Sequence, residues 1–492
     1  MNRAHTLSLL LLSLAALCGG PMRAHAEGPG KEMFDDYAER GMIMEGEAAE
    51  YVSRVGQRVA AASGWDKPFV FSLVDSGMVN AMALPDGYIF VFRGLYTRLQ
   101  TEGQLAAVLG HEVAHVTRRH GYKGQNADRL SRFGSTILGI FLGRAYYDAA
   151  RGYSAAENFG RGREFELEAD RFGAEYIGNA GYDPNEMFDL IRILADESIY
   201  MKEVFGRPPQ YHGLFSTHPR SDRRLYEMIR MGSEEADYLD LADLEGDLYE
   251  TIDGLPFGDL DAEGVFRDRR FYHHDLGIVM DFPEGWLTSN GRQTISATAP
   301  HGSKTTITVE VKALEDDKVT AEEFLREELG IEPTDGRPIE VDTLKGYLAV
   351  VPQAPAEAPV EDAADGDAEV AEEEGDAEPP PEREYRSELV AVVVKDGFAY
   401  VFRGENRLES YERDFLGGFS RTVASFRRMR REDLEAAVTT RIALVEARPE
   451  DTYEQLARKA QLGRDGADVL RLLNGDFPLG QPRAGDLIKV IE

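Results

Sequence analysis

The 492 residues carry 88 acidic side chains against 55 basic ones, a formal charge of −33, and a single cysteine, Cys18. A chain this acidic is repelled by nucleic acid and by anionic membrane surfaces, which argues against the polyanion-binding classes.

Residues 1–26 read as a secretory signal: Arg3, then an apolar run over 7–17, then Ala24-His25-Ala26 as a small-x-small cleavage site. The run is short for a membrane span, and no later stretch is apolar for long enough to be one. A lipid anchor on Cys18 is the rival reading, disfavoured by Leu17 where a small residue is wanted. Cleavage after Ala26 removes Arg3 and Arg23 and no acidic residue, which takes the charge to −35. It also removes the only thiol, so the exported protein has no disulfide and no thiolate ligand.

Residues 33–62 are expected to be helical, with Tyr51, Val52, Val55 and Val59 on one stripe. PFVFSLVDS (68–76) and GYIFVFRG (87–94) are rich in aromatic and β-branched residues and read as strands, with NAMALP (80–85) between them. LAAVLGHEVAHVTRRHG (105–121) is a helix, with Thr101 and Gln104 at capping-box spacing and Gly121 as its stop. It contains His111, Glu112 and His115 as H-E-x-x-H. On a helix the two imidazoles leave one face and can grip one metal ion, with Glu112 placed to take a proton from water at that ion.

A catalytic zinc needs a third protein ligand and one position for water. REFELEADRFG (163–173) offers Glu166 and Asp170 at i,i+4, with Glu164 and Glu168 as a rival pair; spacing alone does not choose between them. HEVAH followed by ELEADRFGAEYI resembles the zinc metallopeptidases related to the CAAX prenyl protease, HtpX and BepA. NAMALPDGYIFVFRGL before the motif and STHPRSDRR after it match as well, so the likeness covers roughly 33–235. The resemblance implies a mainly helical zincin-type domain with a small sheet over 27–250. It makes Glu166 the third zinc ligand, with Asp170 orienting a histidine ligand, and residues 80–85 part of an edge that binds substrate backbone by strand addition.

The segment from Gly121 to Gly162, apolar around 137–147, is a lid over the cleft or a plain core helix. Helices are expected over 183–201 and 219–231, the latter beginning at Pro219. His218, just before it, matches a histidine that in BepA-like enzymes approaches the zinc. The resemblance implies that His218 is either a transition-state donor or a self-inhibiting ligand. His120, His212, His273, His274 and His301 lack ligand spacing and are assigned no chemistry.

After an acidic stretch, 265–430 alternate strand patterns with two helices, an α+β domain with an antiparallel sheet. FPEGW (282–286) bears a local resemblance to PsbP-like domains. Residues 352–384 hold 13 acidic residues against Arg383 alone and read as a disordered insert. Residues 436–492 read strand, helix, helix, strand and resemble a LysM glycan-binding module; a plain packing module that caps the preceding domain is the alternative.

The expectation is an exported zinc endopeptidase of the cell envelope, in which His111, His115 and Glu166 hold one zinc, Glu112 is the base and His218 assists. The resemblance implies unfolded or misassembled envelope proteins as substrates, and peptidoglycan or the outer-membrane assembly machinery as possible partners. Two rivals remain: an assembly chaperone or adaptor in which proteolysis is secondary, and a cell-wall-bound scaffold.

Overall fold

A computed structural model describes residues 28–120, 159–205, 248–290, 294–300, 305–316, 318–351 and 386–492. The signal segment, the apolar stretch 137–147, His218 with the helix expected at 219–231, and the acidic insert 352–384 lie outside the described residues.

The expected helix over 33–62 is two helices, α1 (Pro29–Glu39) and α2 (Glu47–Ala62). Gly41 and Gly46 between them sit at φ 67° and 90°, a left-handed excursion that a continuous helix excludes. Three short strands follow: β1 (Val70–Val74), β2 (Ala81–Ala83) and β3 (Tyr88–Phe92). β3 is central, parallel to β1 and antiparallel to β2, which leaves β2 on the sheet edge. After a helical turn, α3 (Arg93–Tyr96), comes α4 (Glu102–Thr117), in which only His115 and Thr117 are not buried. A helix apolar on every face belongs in the middle of a core, and α4 is packed by α2, by α5 (Phe159–Asn179) and by α6 (Glu186–Phe205).

The two ends of α4 are anchored by different means. Thr101 Oγ1 caps it by accepting from the Gln104 amide at 3.0 Å. The Gln104 side chain reaches past Thr101 and accepts from the Gln100 amide at 2.7 Å, so the reciprocal bond of a capping box falls one residue earlier. Glu102, in the first turn, accepts from Tyr51 and Tyr182 hydroxyls, both at 2.6 Å. Its negative charge stands at the positive end of the helix dipole. At the other end the chain does not wait for Gly121: the helix closes at Thr117 and Arg119 takes φ 60°.

Beyond α7 (Leu248–Ile252) and β4 (Pro256–Phe257), three hairpin strands, β5 (Val265–Arg267), β6 (Arg270–His273) and β7 (Ile278–Asp281), lead into a seven-stranded antiparallel sheet. Its strands are β8 (Leu287–Asn290), β9 (Thr294–Thr298), β10 (Thr306–Ala313), β11 (Asp335–Val341), β12 (Leu344–Val350), β13 (Ser387–Lys395) and β14 (Phe398–Asn406), in the order β11-β12-β13-β14-β10-β9-β8. Helix α8 (Glu412–Ser425) puts Phe415 and Phe419 against one face with Tyr400 and Phe402; helical residues Phe324 and Leu325 cover the other with Val392 and Val401. Gly404 is required there, since a Cβ on it would stand 2.6 Å from the Phe419 ring. After β15 (Arg427–Arg428), the chain ends as β16 (Thr440–Glu446), α9 (Tyr453–Lys459), α10 (Gly466–Asn474) and β17 (Leu487–Ile491), with β16 and β17 antiparallel.

This last unit does not stand apart. Ile442, Tyr453, Leu470, Leu473 and Ile491 belong to the same hydrophobic core as Val52, Leu105 and Leu109 of α2 and α4. Lys489 is fully buried, and its ammonium donates to the carbonyls of Thr97 and Leu99 at 2.9 and 2.7 Å, just before α4. Burial holds this amine well below its ordinary pKa, with Arg98 acting in the same direction. No helix among the described residues is long and apolar enough to cross a membrane.

Candidate metal centre

His111 and His115 stand one turn apart on α4, and Glu166 reaches them from α5. Their Nε2 atoms are 3.0 Å apart; Glu166 Oε2 lies 3.4 Å from His111 Nε2 and Oε1 lies 3.6 Å from His115 Nε2. Donors about 2.0–2.1 Å from a tetrahedral metal are separated by roughly 3.3–3.4 Å, so these spacings bracket what one zinc-sized ion needs. Two imidazole nitrogens and a carboxylate facing one point inside a protein is also a costly arrangement without a cation among them. The donor set fits a metal.

Helix packing sets these distances. A Cβ on Gly110 would meet Ile177 Cγ2 at 2.8 Å and the Gly173 carbonyl oxygen at 3.0 Å. One on Gly173 would meet Met187 Cε at 2.7 Å and the His111 amide nitrogen at 2.9 Å. α4 and α5 therefore touch glycine to glycine beside His111, which brings Glu166 within reach of both imidazoles.

The structure separates the two carboxylate pairs of α5. Glu166 and Asp170 are 3% and 1% exposed and turn towards α4, with Asp170 Oδ1 3.0 Å from His111 Nδ1. Glu164 is exposed. Glu168 sits at the C-terminal end of α4, where Arg118 Nε donates to its Oε1 at 2.6 Å. Glu112 is buried, 1% exposed, on the ligand helix. His218 lies outside the described residues, and His273 and His274 belong to the middle domain.

His120, assigned no chemistry for its lack of ligand spacing, stands beside His115. It is buried, its Nδ1 lies 2.9 Å from His115 Nδ1, its Nε2 lies 3.2 Å from Glu168 Oε2, and its ring stacks on Phe165 at 4.7 Å. A helical spacing test misses it because Arg119 leaves helical geometry and folds the chain back over His115. A third histidine five residues after His115 was the available signal.

Residues 47–231 match the model of peptidase family M48, and the metal cluster falls inside that stretch. The putative beta-barrel assembly-enhancing protease of Vibrio cholerae is 34% identical over 187 residues, covering 36% of this chain and 37% of that protein. The beta-barrel assembly-enhancing protease of Escherichia coli K12 is 30% identical over 187 residues with the same coverage. The mitochondrial metalloendopeptidase OMA1 of Schizosaccharomyces pombe is 31% identical over 203 residues, 40% of this chain and 56% of that one. The chain thus spans little more than a third of the bacterial relatives and just over half of the yeast one. Among solved structures, cyanobacterial PsbP from Synechocystis covers 33% of this chain at 13% identity, with a TM-score of 0.23, too slight a likeness to argue from.

Proposed function

We propose that this chain, whose residues 47–231 are of the M48 type, is a zinc endopeptidase of the bacterial cell envelope acting on misfolded or misassembled envelope proteins. The observation that carries the proposal is the convergence of His111, His115 and Glu166 on one point, with Glu112 buried on the same helix.

A zinc held by His111, His115 and Glu166 would supply Lewis acidity, polarising a carbonyl and making water a better acid. The chain's own residues do the rest. Glu112 takes the proton from the attacking water and passes it to the leaving amine nitrogen. Asp170, against His111 Nδ1, fixes the tautomer that turns Nε2 towards the metal. The outer edge of β2 receives the substrate backbone as an added strand. The role proposed for His218, from its match to the histidine of BepA-like enzymes, is that of oxyanion donor or, in a resting state, competing ligand.

The apolar run and small-x-small site of residues 1–26 support export to the periplasm with cleavage after Ala26. The names of the bacterial relatives favour the assembly of β-barrel proteins as the setting. The strand-helix-helix-strand order of 440–491 agrees with a LysM-like module, which would bring peptidoglycan within reach.

The test compares purified residues 27–492 with Glu112→Gln for zinc content and for cleavage of an unfolded protein. Both are expected to bind one zinc, and the variant to cut about 10²–10⁴-fold more slowly. A well-folded sample that takes up no zinc removes the proposal.

A further inference from the structure

His111 and His115 are held by different means. His111 Nδ1 faces a carboxylate directly, Asp170 at 3.0 Å. Behind His115 Nδ1, at 2.9 Å, stands a second imidazole, that of His120, and only behind that a carboxylate, Glu168.

The geometry admits one proton arrangement compatible with a metal at His115 Nε2. That nitrogen must be bare, so Nδ1 carries the hydrogen and donates it. His120 Nδ1 is then the acceptor, and its own hydrogen is on Nε2, where it donates to Glu168 Oε2 at 3.2 Å. Glu168 is in turn held by Arg118. Phe165, stacked on the His120 ring, and Arg119 at φ 60° fix the plane and position of the interposed imidazole.

We propose that His120 is a positioning residue of the metal centre, locking His115 in its metal-binding tautomer and handing Glu168's negative charge to it through two aligned N–H bonds. The inference deepens the metallopeptidase reading and rests on it. It also makes the two histidine ligands unequal. Asp170 stands directly against His111 Nδ1, whereas Glu168 shares its charge with Arg118 and reaches His115 through a neutral ring.

The test uses the full chain stripped of metal, titrated with zinc against a chromophoric chelator. His120→Phe keeps an aromatic ring for Phe165 but has no acceptor, and is expected to bind zinc about 10–100-fold more weakly. His120→Asn restores an acceptor oxygen near the Nδ1 position and is expected to recover most of that loss. Glu168→Gln keeps the hydrogen bond without the charge and is expected to fall between Asn and Phe. In imidazole ¹⁵N spectra of the zinc-loaded protein, the His115 Nδ1–H signal is expected to move in His120→Phe and return towards its place in His120→Asn.

Equal zinc affinity in the unmutated chain and His120→Phe overturns the proposal. So does a loss as large as that of His115→Ala, which would make His120 a ligand. A lowered melting temperature of the metal-free protein, with affinity unchanged or unrescued by Asn, also overturns it by showing a structural role only. Failure of the unmutated, folded chain to bind zinc is a separate result, and sinks the metallopeptidase reading itself.

Discussion

The two accessory regions join the metal-bearing core in opposite ways. The middle domain has its own apolar centres on both faces of its sheet, built on Phe402, Phe415 and Phe419 on one side and Phe324 and Val392 on the other. The segment that leads into it, residues 256–258, is tied to the core by polar clamps. Buried Arg93 donates to the carbonyls of Pro256 and Gly258 at 2.6 and 2.9 Å and to Asp75 at 2.6 Å. The C-terminal unit instead sends Ile442, Leu470, Leu473 and Ile491 into the core that surrounds α4. A region with its own core can be a passenger; one that completes another's core is part of it.

The largest expected effect follows from that difference. Removing residues 436–492 strips apolar cover from the helices that carry His111 and Glu166, and leaves the Thr97 and Leu99 carbonyls without the Lys489 ammonium. The shortened chain is expected to lose its cooperative melt and its zinc stoichiometry together. By contrast Phe402→Ala, at about 3–5 kcal/mol, is expected to melt the middle domain early while zinc affinity stays unchanged. Differential scanning calorimetry with zinc titration reads both; a truncated chain that still binds zinc with full affinity would erase the comparison. The scaffold reading, in which cleavage survives loss of the tail, fails with it if the truncated chain is inert.

Smaller in size, Lys489→Ala orphans two buried carbonyls and opens a cavity at the junction. A loss of about 2–3 kcal/mol in the melt of the metal-bearing core is expected, with no change in the middle-domain transition.

The smallest effect lies at the polar junction. Burial pushes the Asp259 carboxyl up to about 6, with Glu263 adding to the shift and the Phe266 amide and Arg93 opposing it. Between about pH 4 and 6 the folded chain holds a proton that the unfolded chain has released. Stability from this group is therefore present below pH 4 and lost as pH rises through 6. Asp259→Asn is expected to flatten that slope and to raise stability at neutral pH. An unchanged slope in pH-dependent melts would show that this carboxyl stays ionised in the folded state.

Much of the metal centre was legible because its geometry is local. H-E-x-x-H on one helix and two carboxylates at i,i+4 on another are periodic patterns, and helical periodicity turns spacing into direction. The choice of Glu166 over Glu164 was not legible from spacing, since it depends on which face of α5 meets α4. His120 escaped for a related reason: one residue at positive φ breaks the arithmetic by which its neighbours were judged. In the fold, the strands of the middle domain announced themselves by β-branched and aromatic runs. The merging of the C-terminal unit with the metal-bearing core did not, because Leu470 and Leu473 look alike whether they close their own small core or one four hundred residues away.

The glycine contact between α4 and α5 reaches beyond packing. Gly110 and Gly173 let two backbones touch beside the first ligand, so the gap between His111 and Glu166 is gauged by main chain, not by side chains free to swing. A calcium ion, with bonds of about 2.3–2.6 Å, would have to lever the helices apart against Ile177 and Met187. Discrimination among ions by radius is in this way a property of the helix crossing, and a single methyl group on either glycine would retune it.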